Sequence, residues 1–320
     1  MAKNFHLLLV ILMLASGGLS CLKNKREVAL DLCKIDYCFP GNLYFEGDCS
    51  VQVKEPEKFY FQSFPLQDKN RLLICRNNNS FYAVKFQNGD SVSSILLKDF
   101  LRCADFKNDT LFYINTDFQI QSFNILTGES NRYNTFYMAK RVFAHPSDGF
   151  IYSAYNSDGG SYKNYLYWYH SSSKQDSICT IDAYACAGLL NDSLALLYNA
   201  YSINTINLNH PEVLFLYQHQ PYNLISPFGI WTQPNSNRVV FFEKNQLKLF
   251  RTDLNRSYTI GTYCLANEAR HVAFKSNTVE ILYKEMKLTD ASNAKYQFYI
   301  NEFDNEGKLI GNHIQKLSSE

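Results

Sequence analysis

One turn-and-strand phrase recurs along this chain, and it limits the fold more than any other feature of the sequence. Lys107-Asn108-Asp109-Thr110 precedes Leu111-Phe112-Tyr113, and Pro146-Ser147-Asp148-Gly149 precedes Phe150-Ile151-Tyr152. Asn191-Asp192-Ser193 leads into Leu194 to Tyr198, Asn235-Ser236-Asn237 into Val239 to Phe242, and Ser276-Asn277-Thr278 into Val279 to Tyr283. Asp68-Lys69-Asn70 before Leu72-Leu73-Ile74 is an earlier, weaker copy. Anchored on Ile74, Tyr113, Tyr152, Tyr198, Phe242 and Tyr283, the six copies are spaced 39, 39, 46, 44 and 41 residues apart. Short Tyr, Phe, Ile, Val and Leu runs bounded by Asn, Asp, Ser and Gly are the pattern of many short strands.

Each turn follows an apolar strand, such as Leu101 to Phe106 or Val272 to Phe274. Each copy continues into a third strand, such as Ile120 to Ile125 or Tyr165 to Tyr169, and a more variable fourth, such as Val92 to Leu97 or Val213 to Tyr217. A four-stranded antiparallel unit cannot bury both faces alone, but radial stacking of like units covers them. The expected fold is therefore all-β: a six-bladed β-propeller of four-stranded antiparallel blades over residues 57–320. A content of 24 Phe and 23 Tyr suits blades that pack through broad aromatic faces. A pair of β-sandwiches would also show many short strands, but would not repeat one phrase six times.

Residues 21–56 stand outside the repeat and read as a Cys-containing lead-in that packs on the propeller or helps fasten its ring, with a short helix at Arg26 to Cys33. Residues 1–20 read as a signal peptide: Lys3, an apolar run from Leu7 to Ala15, then Ser16, Gly17, Gly18 and Ser20. No later segment is long and apolar enough for a membrane span. The expected location is secreted, and the acceptor motifs at Asn78, Asn108, Asn191 and Asn255 fit a glycoprotein. Cys33, Cys38, Cys49, Cys75, Cys103, Cys179, Cys186 and Cys264 form an even set of disulfide candidates for an oxidising compartment.

A formal charge of +1 gives no net pull toward phosphate backbones, so no nucleic-acid partner is expected. No nucleophile elbow, phosphate loop or zinc-protease motif is present, and the histidines His145, His170, His210, His219, His271 and His313 are scattered. Catalytic residues are therefore unassigned. In a propeller, one-to-two and three-to-four turns share one face, which places Asn108, Asn191 and Asn255 together and leaves the opposite mouth clear for a ligand. That mouth receives the ends of the second strands, with Asn115, Asp117, Asn156, Asp158, Asn199, Glu243, Asn245 and Glu285. Converging oxygens of this kind suit Ca²⁺, while Asn and Asp also populate turns for their own conformational reasons. No other cofactor is expected.

The stretch Ser226 to Phe242 (SPFGIWTQPNSNRVVFF), followed by Leu247 to Thr252 (LKLFRT), resembles a phrase of the Yellow and major royal jelly protein family. The resemblance covers about thirty residues. It implies a secreted six-bladed propeller that binds small ligands such as biogenic amines. The leading expectation is thus an extracellular binding module for a small molecule or protein partner at the propeller mouth, without catalysis. A Ca²⁺-dependent lactonase-like hydrolase and a structural extracellular protein are the alternatives, because propellers host unrelated activities.

Overall fold

The structure, a computed structural model, describes residues 35–39, 42–45, 49–54, 58–66, 70–87, 90–156, 163–171, 174–181, 184–199, 201–218, 229–243, 246–262, 267–288 and 293–313. For 35–58 and for Leu101, Arg102, Thr262, Asn267, Leu288 and His313 the backbone alone is described. The expected signal segment, the helix at Arg26 to Cys33, Cys33, Cys264, Asp158 and Asn245 lie outside the described residues.

The described residues form strands and turns without a helix. A lead-in of β1 (Ile35–Phe39), β2 (Asn42–Phe45) and β3 (Cys49–Lys54) comes first. Blade 1 is β4 (Lys58–Pro65), β5 (Arg71–Asn77), β6 (Ser80–Gln87) and β7 (Asp90–Leu97). Blade 2 is β8 (Phe100–Lys107), β9 (Thr110–Asn115), β10 (Ile120–Asn124) and β11 (Ser130–Tyr133). Blade 3 is β12 (Met138–Ala144), β13 (Phe150–Asn156), β14 (Lys163–Tyr169) and β15 (Gln175–Thr180). Blade 4 is β16 (Ala185–Leu189), β17 (Leu194–Tyr198), β18 (Ser202–Asn207) and β19 (Val213–Gln218). Blade 5 is β20 (Ile230–Thr232), β21 (Arg238–Glu243), β22 (Gln246–Arg251) and β23 (Arg256–Thr262). Blade 6 is β24 (Asn267–Phe274), β25 (Thr278–Leu288), β26 (Asn293–Asp304) and β27 (Leu309–His313).

Within each blade the strands pair antiparallel in chain order, and β24 packs against β4 to close the ring. The fold is the six-bladed propeller that the repeat predicts. The lead-in joins it by strand addition: β3 runs parallel to the start of β26, with Gln52 opposite Asn293 and Lys54 opposite Lys295.

The apolar core is divided into six wedges, each built from two adjacent blades. Leu72 and Ile74 of blade 1 meet Leu111 and Tyr113 of blade 2; Ile151 and Leu166 of blade 3 meet Ala195 and Leu197 of blade 4; Leu282 and Ile300 of blade 6 meet Leu73 and Cys75 of blade 1. Alternation along the second strands produces this division, since successive side chains point into opposite wedges. Each fully buried Leu, Ile or Phe contributes about 1.5–3 kcal/mol relative to exposure. The same alternation corrects the repeat alignment. Tyr113, Tyr152 and Tyr283 face the preceding blade, whereas Ile74, Tyr198 and Phe242 face the following one. The six anchors mark the same strand but two different faces, since neighbouring positions of a strand point to opposite sides.

Turn chemistry holds the blades in register. Gly149 sits at φ +63°, where a Cβ would lie 1.9 Å from the Tyr169 carbonyl oxygen, so the Ser-Asp-Gly turn admits no side chain. Arg238 opens β21 and is buried; its guanidinium donates to the Thr278 carbonyl at 3.0 Å and to Asn305 Oδ1 at 2.8 Å, tying blade 5 to blade 6. Arg71 opens β5 and forms a two-pronged pair with Glu280 of blade 6, both bonds at 2.6 Å.

Five of the six first strands carry β-bulges. Register skips Phe61 in β4, Leu101 and Cys103 in β8, Lys140 in β12, Ala187 in β16 and Arg270 in β24. A bulge adds a residue to one strand only, bending it and re-aiming that side chain. At Cys103 the backbone takes φ 54°, a left-handed conformation that a non-glycine residue seldom holds.

Of the candidate disulfide cysteines, Cys179 and Cys186 stand as thiols in the wedge between blades 3 and 4. Among the described residues no disulfide is seen. Burial accounts for the two blade 3–4 thiols: it pushes Cys179 up to about 11 and Cys186 up to about 12, so both serve as small apolar side chains. Of Cys38 and Cys49 only the backbone is described, in β1 and β3.

Candidate functional site

The first strands of the six blades surround a central cavity of about 820 Å³. Its wall reaches from Phe100 and Glu268, where inner strands begin, to Lys107, Pro146 and Phe274, where they end. Four bulge residues, Phe61, Cys103, Ala187 and Arg270, line it. The bulges thus deliver into the channel side chains that a regular ladder would aim elsewhere.

The wall is mostly apolar, with Phe61, Phe64, Phe81, Phe100, Trp231 and Phe242 prominent, and it holds a small polar set. Gln62 acts as a strand-like clip between blades 1 and 2: its Nε2 donates to the Ala104 carbonyl at 2.7 Å and its Oε1 accepts from the Ala104 N–H at 2.9 Å. Asp105 joins blades 2 and 3, accepting from the Phe106 N–H and the Ala144 N–H, each at 2.8 Å. Loss of water pushes its carboxyl up to about 6, although the two N–H groups and the nearby Lys107 charge pull the other way. Arg141 donates to the Cys186 carbonyl at 3.2 Å, joining blades 3 and 4. His271 accepts from the Ser63 N–H at 3.4 Å, and desolvation pulls it down to about 4, so it is a neutral imidazole across the physiological range.

The oxygens expected at the mouth have other partners. Asn115 is buried, and its Oδ1 accepts from the Asp117 and Gln119 N–H groups at 3.0 and 2.9 Å, which shapes the β9–β10 turn. Asp117 points outward to an exposed pair with Arg132. Asn199 Oδ1 accepts from the Tyr201 and Ser202 N–H groups, each at 2.9 Å, and Glu285 accepts from Gln297 at 2.9 Å. Asn156 ends β13 and Glu243 ends β21. None of these six residues lines the cavity. Among the described residues no group of three or more His, Cys, Asp or Glu gathers for a metal. The glycosylation candidates all sit in turns: Asn108 and Asn191 between first and second strands, Asn255 between third and fourth, and Asn78 between second and third.

The polar channel residues were not singled out from the sequence. Their signal was present as charged or amide residues inside short apolar runs: Phe61-Gln62, Ala104-Asp105-Phe106, Arg141-Val142 and Arg270-His271-Val272. His145 and His170 are structural. His145 is buried on Trp168, its Nε2 2.8 Å from the Asp192 carbonyl, and His170 lies between Asp148 and Asp176.

Solved structures are similar to this chain at low identity. A catalytically inactive virginiamycin B lyase from Staphylococcus aureus, with quinupristin, is 11% identical with a TM-score of 0.49, over 82% of this chain and 87% of that one. The computationally designed Ika8 protein is 12% identical with a TM-score of 0.47, over 84% of this chain and 92% of that one. No family model and no curated protein matches the chain.

Proposed function

We propose that this chain is an extracellular binding module whose central channel takes a small molecule with an apolar body. The observation that carries the reading is the cavity of about 820 Å³, whose aromatic wall is interrupted by a few fixed polar groups, Gln62, Asp105, Arg141 and His271. Ligand sites generally combine an apolar lining with a small number of placed polar side chains. The extracellular part rests on the signal-like first twenty residues and the four sequons in turns. A place in the Yellow and major royal jelly protein family belongs to the same reading. Its support is one phrase, which covers the first three strands of blade 5.

Phenylnaphthylamine, a neutral dye that brightens in apolar surroundings, tests the channel. The expected result is saturable binding that disappears in Ala187→Trp, which fills the cavity from β16, with cooperative melting retained. Absence of saturable binding, or binding that the Trp leaves unchanged, overturns the reading. Expression through a secretory host, followed by glycosidase digestion, tests the compartment: a loss of mass is expected, and an unprocessed chain that stays in the cell counts against it.

A further inference from the structure

We infer that the stretch of the channel between blades 6 and 1 is an anion subsite, suited to a ligand with an aromatic or aliphatic body and one carboxylate, sulfonate or phosphate head. The inference rests on the channel-binding reading above and names its ligand class.

Two guanidinium groups line this stretch: Arg76, near the end of β5, and Arg270, the bulge residue of β24. Both are gathered around one ring. Arg270 Cζ is 5.0 Å and Arg76 Cζ 5.8 Å from the Phe59 centroid, and Lys284 Nζ is 5.3 Å from it. Glu268 bridges two of these cations. Glu268 accepts from Arg270 at 2.5 Å, and its other oxygen lies 3.5 Å from Lys284, while Arg76 has no ion pair there. A cation over an aromatic face gains only about 0.5–1 kcal/mol at an accessible site. Phe61, 5.9 Å from Arg270 Cζ, and Tyr296, 4.1 Å from Lys284 Nζ, add further ring faces, but rings do not neutralise a cation, so the two guanidinium groups keep positive charge facing the cavity, where a lower effective dielectric than water strengthens it. Guanidinium forks match the geometry of carboxylate, sulfonate and phosphate oxygens.

The body of the ligand has its own track. From Phe59 the rings run Phe59–Phe61 at 4.9 Å, Phe61–Phe81 at 5.7 Å and Phe81–Phe100 at 4.9 Å, and the last three line the cavity. The cations stand at one end of a continuous aromatic wall, so head and body bind side by side. An amine, the ligand class implied by the sequence resemblance, would instead meet two like charges.

Anilinonaphthalene sulfonate and phenylnaphthylamine differ by the sulfonate and provide the test. The full chain is expected to bind the sulfonate about tenfold more tightly, a difference of about 1.4 kcal/mol. Arg270→Gln and Arg76→Gln should each remove most of that preference and leave phenylnaphthylamine affinity within about twofold. Arg270→Lys, which keeps the charge, should retain part of it; melting curves identify any variant that fails to fold. Equal binding of the two dyes, or Gln variants that weaken both alike, overturns the anion subsite and leaves channel binding standing. If neither dye binds, the channel reading itself fails.

Discussion

The seam between blades 6 and 1 and the seam between blades 2 and 3 each take a carboxylate out of water, and they treat its charge in opposite ways. Burial alone would raise Glu280, but the two hydrogen bonds and the charge of Arg71, joined by Lys275 at 2.6 Å, hold its carboxyl below the usual range. Asp105 is held by two backbone N–H groups and, among the described residues, by no ion pair, so desolvation wins and the carboxyl rises to about 6. Ring closure, which joins residues 209 apart in sequence, is thus made by a compensated charge. Consecutive blades manage with an uncompensated one. The lesson is that a buried acid is held below its ordinary value where a cation is buried with it and rises above that value where none is.

Breaking the compensated pair should give the largest effect. Glu280→Gln leaves Arg71 and Lys275 facing each other at the closure, and urea denaturation should show a loss of about 3–5 kcal/mol. A loss below about 1 kcal/mol would mean that β4 and β24 hold the ring without it.

The sharpest separation of the two seams is their pH dependence. Between the ordinary Asp value of 3.8 and about 6, Asp105 keeps its proton in the folded chain and loses it in the unfolded one. Its contribution to stability therefore falls as pH rises through that window, by on the order of 3 kcal/mol at 1.36 kcal/mol per unit. Glu280 has the reverse sign: its contribution is present above 4.5 and is lost as pH falls through its depressed folded value. Denaturation series from about pH 3 to pH 7 on Asp105→Asn and Glu280→Gln should flatten these two slopes separately. A common effect on both variants would contradict the assignment.

Gln62 offers a neutral reference between them. Gln62→Ala removes both bonds to the Ala104 backbone, and a loss of about 1–3 kcal/mol with no pH slope is expected in the same series. Arg132→Ala should be the smallest change. Its pair with Asp117 is exposed on both sides, so thermal melts should register less than about 1 kcal/mol.

Much of this architecture was legible in the sequence. The six turn-and-strand phrases gave the blade count, and runs such as Ile120 to Ile125 and Val213 to Tyr217 fall on β10 and β19. Which wedge a residue enters was not legible. A one-residue offset along a strand reverses the faces, so Tyr152 and Tyr198 occupy similar phrases and opposite sides. The site was harder still. Oxygen-rich turns drew attention to Asn115 and Asn199, whose side chains are committed to backbone N–H groups, while the channel is lined by strands that read as ordinary apolar runs. A bulge leaves no compositional mark. Arg270 and Phe61 differ from their neighbours only by being left out of a hydrogen-bond ladder.

That omission matters for how such a protein can change. Because the skipped positions owe nothing to the register on either side, Phe61, Ala187 and Arg270 can be exchanged for other side chains while the sheets that carry them stay as they are. The frame and the lining can then vary separately, and one ring of blades could serve chemically unrelated cargoes through a handful of substitutions.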